Sequence, residues 1–305
     1  MTATILDGRA MGAEIKAELR ADIKKYVHEQ GMPPGLVIVR IGSDTASGMY
    51  SKAILRVAEE IGLQARLEQL PTRISPDELR AILVQLNRDE TVQGIIVQMP
   101  LPGHLSQKMV ADTISSNKDI DGISPRSAGN LFLGLPSFLP ATVAAVMEIL
   151  ERTRTLLEGK RAIIISRSNV VGKPLAMMLL QKNATVTVCH SRTVDLAGFT
   201  RQADVLVAAA GHANMITAGM VRPGAVVIDV GINELTGGGI VGDLDFTSVS
   251  EVAGAITPTP GGVGPLTNVL LLKQCVQAAW QQVVRGVNID VQKDSIMSGQ
   301  QGTSK

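Results

Sequence analysis

Several short stretches carry residue types at spacings suited to chemistry. Ser166-Arg-Ser-Asn-Val-Val-Gly-Lys-Pro174 follows the apolar run Ile163–Ile165 and leads into a helix starting near Val171. A strand, turn and helix in that order bring backbone N–H groups and a helix N-terminus to where a pyrophosphate binds. Ser166 stands where the GxGxxG pattern has glycine, so spacing alone fits an ordinary βα turn equally well. Arg167 favours the ligand reading, because a guanidinium beside the turn is the partner a 2′-phosphate needs. One strand later, Cys189-His-Ser-Arg-Thr193 lies where NAD-binding proteins usually carry an acidic residue for the ribose. Ser191 and Arg192 stand there instead, and no carboxylate follows until Asp195, which favours NADP over NAD. His190, at that ribose-side edge, reads as a structural or adenine-side residue rather than a catalytic one.

Asp229-Val-Gly-Ile-Asn233 and Pro258-Thr-Pro-Gly-Gly-Val-Gly-Pro265 are glycine-rich strand ends that let a ligand approach the backbone closely. In the first half of the chain, Tyr50 is one of only 2 tyrosines. Val97-Gln-Met-Pro-Leu-Pro102 puts the Gln98 amide at a strand end, and Lys118-Asp-Ile-Asp-Gly122 adds the Asp121 carboxylate in a loop. Singly, each of these is more often a turn or cap residue. His28, His104 and His212 have no metal-ligand spacing, so no metal site is expected.

The elements that must carry these residues can be read from periodicity. Met11, Ile15, Leu19, Ile23 and Val27 recur every fourth residue and predict a helix over 9–30, ended by Gly31 and Pro33-Pro34. Buried strands are predicted at 35–41 and 94–97, with helices at 47–61 and 76–87. A connecting helix at 142–151 precedes a second strand series at 161–165, 184–189, 204–207, 225–230 and 254–256. Such alternation predicts right-handed βαβ units and a doubly wound parallel sheet. A last helix, about 266–284, belongs to neither series, and the polar stretch from 286 on shows no pattern and reads as a mobile tail.

Composition excludes other classes. The 305 residues are 45% hydrophobic and 19% charged, enough for two α/β domains and against wholesale disorder. Lys+Arg number 29 against 28 Asp+Glu, and aromatics are 2%; neither a basic surface nor stacking platforms for nucleic acid are supplied. No uncharged apolar run reaches the ~18 residues of a membrane span. The two cysteines give no disulfide framework, and Met1–Arg9 has no signal-like apolar core, so a cytoplasmic location is expected.

Taken together, the chain resembles the methylenetetrahydrofolate dehydrogenase/methenyltetrahydrofolate cyclohydrolase family, the bifunctional FolD-type enzymes. The resemblance runs from about Leu6 to Ala279. It rests on the order of seven stretches: 42–50, 94–102, 118–122, 167–172, 184–191, 229–233 and 260–265. It implies an α/β folate-binding domain (1–140 plus 266–290), an inserted Rossmann-type NADP-binding domain (141–265) and a tail (291–305). It implies a cleft between the two domains, tetrahydrofolate one-carbon derivatives as ligands, and a homodimer. By resemblance, Tyr50 stacks on the folate, Gln98 and Asp121 hold its pterin end, and Val97 and Met99 lie beside them. Pro260, Gly261, Gly262, Val263 and Gly264 line the cleft, while Ser166, Arg167, Ser168, Ser191 and Ile232 contact NADP.

The departures bear on activity. The family has a lysine four residues after the tyrosine, and here Ile54 occupies that position. It usually reads Pro-Cys-Thr-Pro where this chain has Pro140-Ala-Thr-Val143, and glycine at 166. Residues four apart on a helix differ by about 40° around the axis, so position 54 is expected on Tyr50's face, pointing into the cleft. Lys52 is rotated about 200° away and Arg56 about 240°, and a guanidinium does not act as a base. The expected activity is therefore NADP-dependent dehydrogenation of methylenetetrahydrofolate with cyclohydrolase activity lost or weak. The alternatives are a fully bifunctional enzyme and a non-catalytic folate-binding protein.

Overall fold

Short β-branched runs and amphipathic helices alternate along the whole chain of the computed structural model. It describes residues 2–235 and 237–299, with side chains for all of these except 45, 46 and 285–299. In order the elements are β1 (Thr4–Ile5), α1 (Gly8–Gln30), β2 (Gly35–Ile41), α2 (Thr45–Ile61), β3 (Gln64–Leu70), α3 (Pro76–Arg88) and β4 (Gly94–Val97). Then come α4 (Gln107–Thr113), α5 (Pro125–Phe132), α6 (Ala141–Arg152), β5 (Arg161–Ile165), α7 (Gly172–Gln181), β6 (Thr185–Cys189), α8 (Leu196–Thr200) and β7 (Val205–Ala208). The last are β8 (Val226–Asp229), β9 (Asn233–Glu234), β10 (Ile240–Val241), α9 (Phe246–Ser250), β11 (Ala255–Ile256) and α10 (Val263–Gly299). Two compact units result, 1–18 with 121–271 and 19–120 with 272–305. Residues 121–140, expected with the folate side, pack in the first of these.

The unit holding 19–120 is built on a three-stranded parallel sheet in the order β3-β2-β4. Leu36, Val37, Ile38 and Val39 are at most 1% exposed, as a strand covered on both faces requires. α3 begins with a capping box, Ser75 and Glu78 satisfying each other's backbone N–H groups, with Pro76 in its first turn. Lys118 Nζ donates to the carbonyls of Leu86 and Asp89 at 3.0 and 2.6 Å, neutralising the C-terminal end of that helix. From α10, Cys275 is buried beside Gly94, and Trp280 donates its ring N–H to Asp22 while meeting Tyr26 edge-on at 5.1 Å.

In the other unit six parallel strands run in the order β1-β11-β8-β7-β5-β6. This is the expected doubly wound sheet, and its order reverses between β5 and β7. Ile163, Leu206, Val227, Leu244, Val249 and Ile256 are among its buried core. Arg152 on α6 ties that helix to α1 through Glu14 and Glu18, at 3.0 and 2.8 Å.

Several features depart from the sequence expectations, α4, α5 and the β9–β10 pair among them. β3 was not expected, because Gln64, Arg66 and Glu68 give this edge strand a polar, charged face and no clean apolar alternation. β1 is two residues long and is a strand only by pairing with β11. α10 continues as helix to Gly299, past the point where apolar periodicity fades, and residues 300–305 of the expected tail lie outside the described residues.

Candidate active site

The turn after β5 is closed by a glycine. A Cβ at Gly172 would sit 2.1 Å from the Ser166 carbonyl oxygen, so only hydrogen fits where α7 begins. Val171 offers no side-chain cap, and Ser168 Oγ takes its place, accepting from the N–H groups of Val171 and Gly172 at 3.0 and 3.3 Å. Ser166 is buried and donates to Ser168 Oγ at 3.3 Å. Arg167 beside it is exposed and has no partner among the described residues.

β5 and β6 are in register at Ile165 and Cys189, so the Ser166–Ser168 turn and the 190–193 turn leave the sheet side by side. His190 Nδ1 accepts from the Arg192 N–H at 3.1 Å, and the His190 N–H donates to Thr193 Oγ1 at 2.8 Å. The imidazole therefore shapes this turn. Ser191 and Arg192 are exposed on it, and no carboxylate shares it.

Behind the carboxyl ends of β7 and β8 stand two buried aspartates. Asp229 accepts from the N–H groups of Gly231, Asp243 and Leu244 at 2.9–3.1 Å. Asp243 accepts from the N–H groups of Ala210, Gly211 and His212 and from Asn233 Nδ2, at 2.5–3.0 Å. Burial pushes the Asp229 carboxyl up to about 6; three backbone donors oppose the rise and the charge of Asp243 adds to it. Sequence reasoning quoted Asp229 but passed over Asp243, whose only local signal is the Val-Gly-Asp-Leu string after a short strand.

Ile232, 65% exposed, shares a cavity of about 170 Å³ with the 258–265 loop. Pro260, Gly261, Gly262, Val263 and Gly264 all line it, so the structure brings these predicted residues together. It also adds Arg9, which the sequence analysis did not consider. A larger cavity, about 670 Å³, lies at the amino ends of the strands by Lys160, Asp204 and Arg222, away from every motif.

On the other unit, the adjacent strands β2 and β4 deliver Tyr50 and Gln98. The loop after β2 enters α2 at Asp44, which caps Ser47 N at 2.8 Å, and Arg40 donates to the Asp44 carbonyl at 2.6 Å. Tyr50 is half-buried in the second turn of α2. Gln98 follows Val97; its N–H continues the ladder to Val39, and its side chain is 6% exposed. Among the described residues no hydrogen bond reaches its buried Nε2. Met99 beside it is part exposed. Ile54 is 0% exposed, packed into the unit, as an isoleucine gains by leaving water. Asp121 is half-exposed, and its Oδ1 accepts from Ala141 N at 3.1 Å, capping α6, whose N-cap residue is a proline.

Residues 6–121 match the model for the catalytic domain of tetrahydrofolate dehydrogenase/cyclohydrolase, and 140–283 the model for its NAD(P)-binding domain. The chain belongs to the tetrahydrofolate dehydrogenase/cyclohydrolase family. The bifunctional protein FolD of Moorella thermoacetica is 48% identical to it over 279 residues, 92% of this chain and 99% of that one. The bifunctional FolD structure from Campylobacter jejuni aligns with a TM-score of 0.90 at 44% identity, covering 92% of this chain and 99% of the other. The Trypanosoma brucei FolD structure, described as complexed with NADP cofactor and inhibitor, aligns with a TM-score of 0.88 at 32% identity over 93% and 99%. Tyr50, Ile54, Gln98 and Asp121 fall in the range of the catalytic-domain match. Ser166–Ser168, Ser191, Ile232 and 260–264 fall in the NAD(P)-binding match.

Proposed function

We propose that the chain oxidises 5,10-methylenetetrahydrofolate to 5,10-methenyltetrahydrofolate with NADP as acceptor, and that its cyclohydrolase activity is lost or weak. The observation that carries the oxidoreductase reading is the β5–α7 turn. Its glycine leaves a cradle that a Cβ would fill, and an unpartnered guanidinium and a carboxylate-free ribose edge flank it. These features fit a phosphorylated dinucleotide, with Arg167 and Ser191 toward the 2′-phosphate and Ser166, Ser168 and Ile232 along its length. Bound there, NADP supplies the hydride acceptor.

The remaining work falls to this chain's side chains. Tyr50 stacks on the folate, and Gln98 and Asp121 hold its pterin end, flanked by Val97, Met99 and the loop Pro260–Gly264. Gln98 supports this role, since a buried donor without a partner is costly until a ligand accepts from it. Alignment suffices for hydride loss, because the folate nitrogen stabilises the cation formed. Hydrolysis of that product is different and calls for a positioned proton-transfer group. Ile54 has none, and Lys118 is committed to two carbonyls. The functional division we adopt, 1–140 with 266–290 for folate and 141–265 for NADP, follows the motifs. A homodimer in solution completes the proposal.

A bifunctional enzyme is the second reading, favoured by the names of its relatives. Incubation with methylenetetrahydrofolate and NADP separates the two. The expected result is methenyl absorbance that rises in step with NADPH and persists. Formyl product at a rate comparable to NADPH would sink the loss of cyclohydrolase, and no NADPH would sink the dehydrogenase reading.

A further inference from the structure

The loop 209–212 leaves the sheet at the carboxyl end of β7, next to the β5 turn, where the strand order reverses; Ala209 N donates to the Ile165 carbonyl. Open α/β sheets bind ligands in the crevice at such a reversal. This wall of the crevice has no secondary structure of its own to set its course. Three consecutive N–H groups, of Ala210, Gly211 and His212, turn inward to one carboxylate, Asp243, at 2.5, 3.0 and 2.9 Å. Asn233 Nδ2, from the loop after β8, meets the same carboxylate at 3.0 Å. The clamp is in turn anchored, because Asp229 holds the backbone N–H of Asp243 itself at 3.0 Å. Each aspartate packs against a glycine of the other's loop: a Cβ at Gly242 would lie 1.7 Å from Asp229 Oδ2, and one at Gly231 would lie 2.2 Å from Asp243 Oδ1.

Resting on the proposed NADP site, we infer that Asp243 is a positioning residue for the dinucleotide, fixing the loops after β7 and β8 as one wall of its crevice. It acts through backbone groups and Asn233, not by touching the ligand. Asparagine at 243 keeps the volume but turns an NH₂ toward donors it cannot accept from, so the wall loosens while the sheet stays.

The test measures NADP binding by calorimetry, folate binding separately, and hydrogen exchange at the amides of 210–212. For Asp243→Asn we expect roughly ten- to hundredfold weaker NADP binding, folate affinity within about twofold of wild type, and faster exchange at 210–212. Asn233→Ala removes one of the four donors and should weaken NADP roughly two- to fivefold with folding intact. NADP affinity within about twofold of wild type in folded Asp243→Asn overturns the inference, as do equal losses for both ligands. If Asp243→Asn does not fold, Asn233→Ala decides, and unchanged NADP binding there overturns it. Wild-type protein that binds no NADP overturns the proposed function instead, and exchange at 210–212 then still tests the clamp.

Discussion

Arg167 is exposed and unpartnered, so its removal leaves no buried group unsatisfied and changes little but the ligand's partner. Charge-assisted hydrogen bonds of this kind are worth ~1.5–3 kcal/mol. Arg167→Ala should weaken NADP roughly ten- to hundredfold and leave NAD nearly unchanged, as read from the two Michaelis constants. Equal losses would show that Arg167 supports the loop itself. Asp121 does two things at once, because one of its oxygens caps α6 at Ala141. Asp121→Ala should therefore abolish folate turnover and also lower stability by about 1 kcal/mol in urea titration; retained folate binding would leave only the cap. Ile54 is wholly buried, so Ile54→Lys should lower the melting temperature, since an ammonium there must be desolvated or drive its surroundings open. In the protein that still folds, the formyl-to-methenyl product ratio should rise. An unchanged ratio would mean that position 54 does not reach the reacting carbon.

Elements turn these residues toward a ligand only if their joints are closed. The joint between β5 and α7 is tight, with the Ser166 carbonyl 2.1 Å from where a Cβ at 172 would stand. Gly172→Ala must push the start of α7 away from β5 and pull Val171 off its Ser168 cap. We expect a loss of roughly 2–4 kcal/mol in stability together with NADP binding weakened at least tenfold. A variant of wild-type stability and affinity would show that the turn has room the geometry denies. β3 and α10 carry the complementary lesson. Periodicity finds elements with one apolar face, and it overlooks an edge strand whose exposed face is charged.

For the molecule as a whole, the buried Asp229 carboxyl makes stability depend on pH. Asp229 sits at about 6 when folded, above the usual carboxyl value it regains on unfolding. Between these values the folded chain holds a proton that the unfolded chain has released. Stability from this group is therefore greatest at low pH, falls as pH rises toward 6, and stays reduced above it. Asp229→Asn removes that slope. The stability of wild type relative to the variant should fall by on the order of 3 kcal/mol from pH 4 to pH 7 in denaturant titrations. A pH-independent difference would show that Asp229 titrates normally.

Much was legible along the chain: the βαβ alternation, the β5–α7 turn with its arginine, the carboxylate-free 190–192 edge, and motifs ordered as in one enzyme family. These signals are local, lying within a helical turn or one strand–turn–helix, where backbone geometry follows from a few neighbouring side chains. Other facts join residues far apart in sequence. Asp243 reaches back 33 positions to Ala210, Asp121 caps a helix 20 residues on, and Arg9 lines a cavity with the 258–265 loop. Spacing does not encode such meetings. They arise when strands pair and bury their polar groups, because each buried N–H or carboxylate must then find a partner wherever the fold has brought one. The same holds for Ile54: the sequence supplies an apolar side chain on a helix, and packing alone removes it from water.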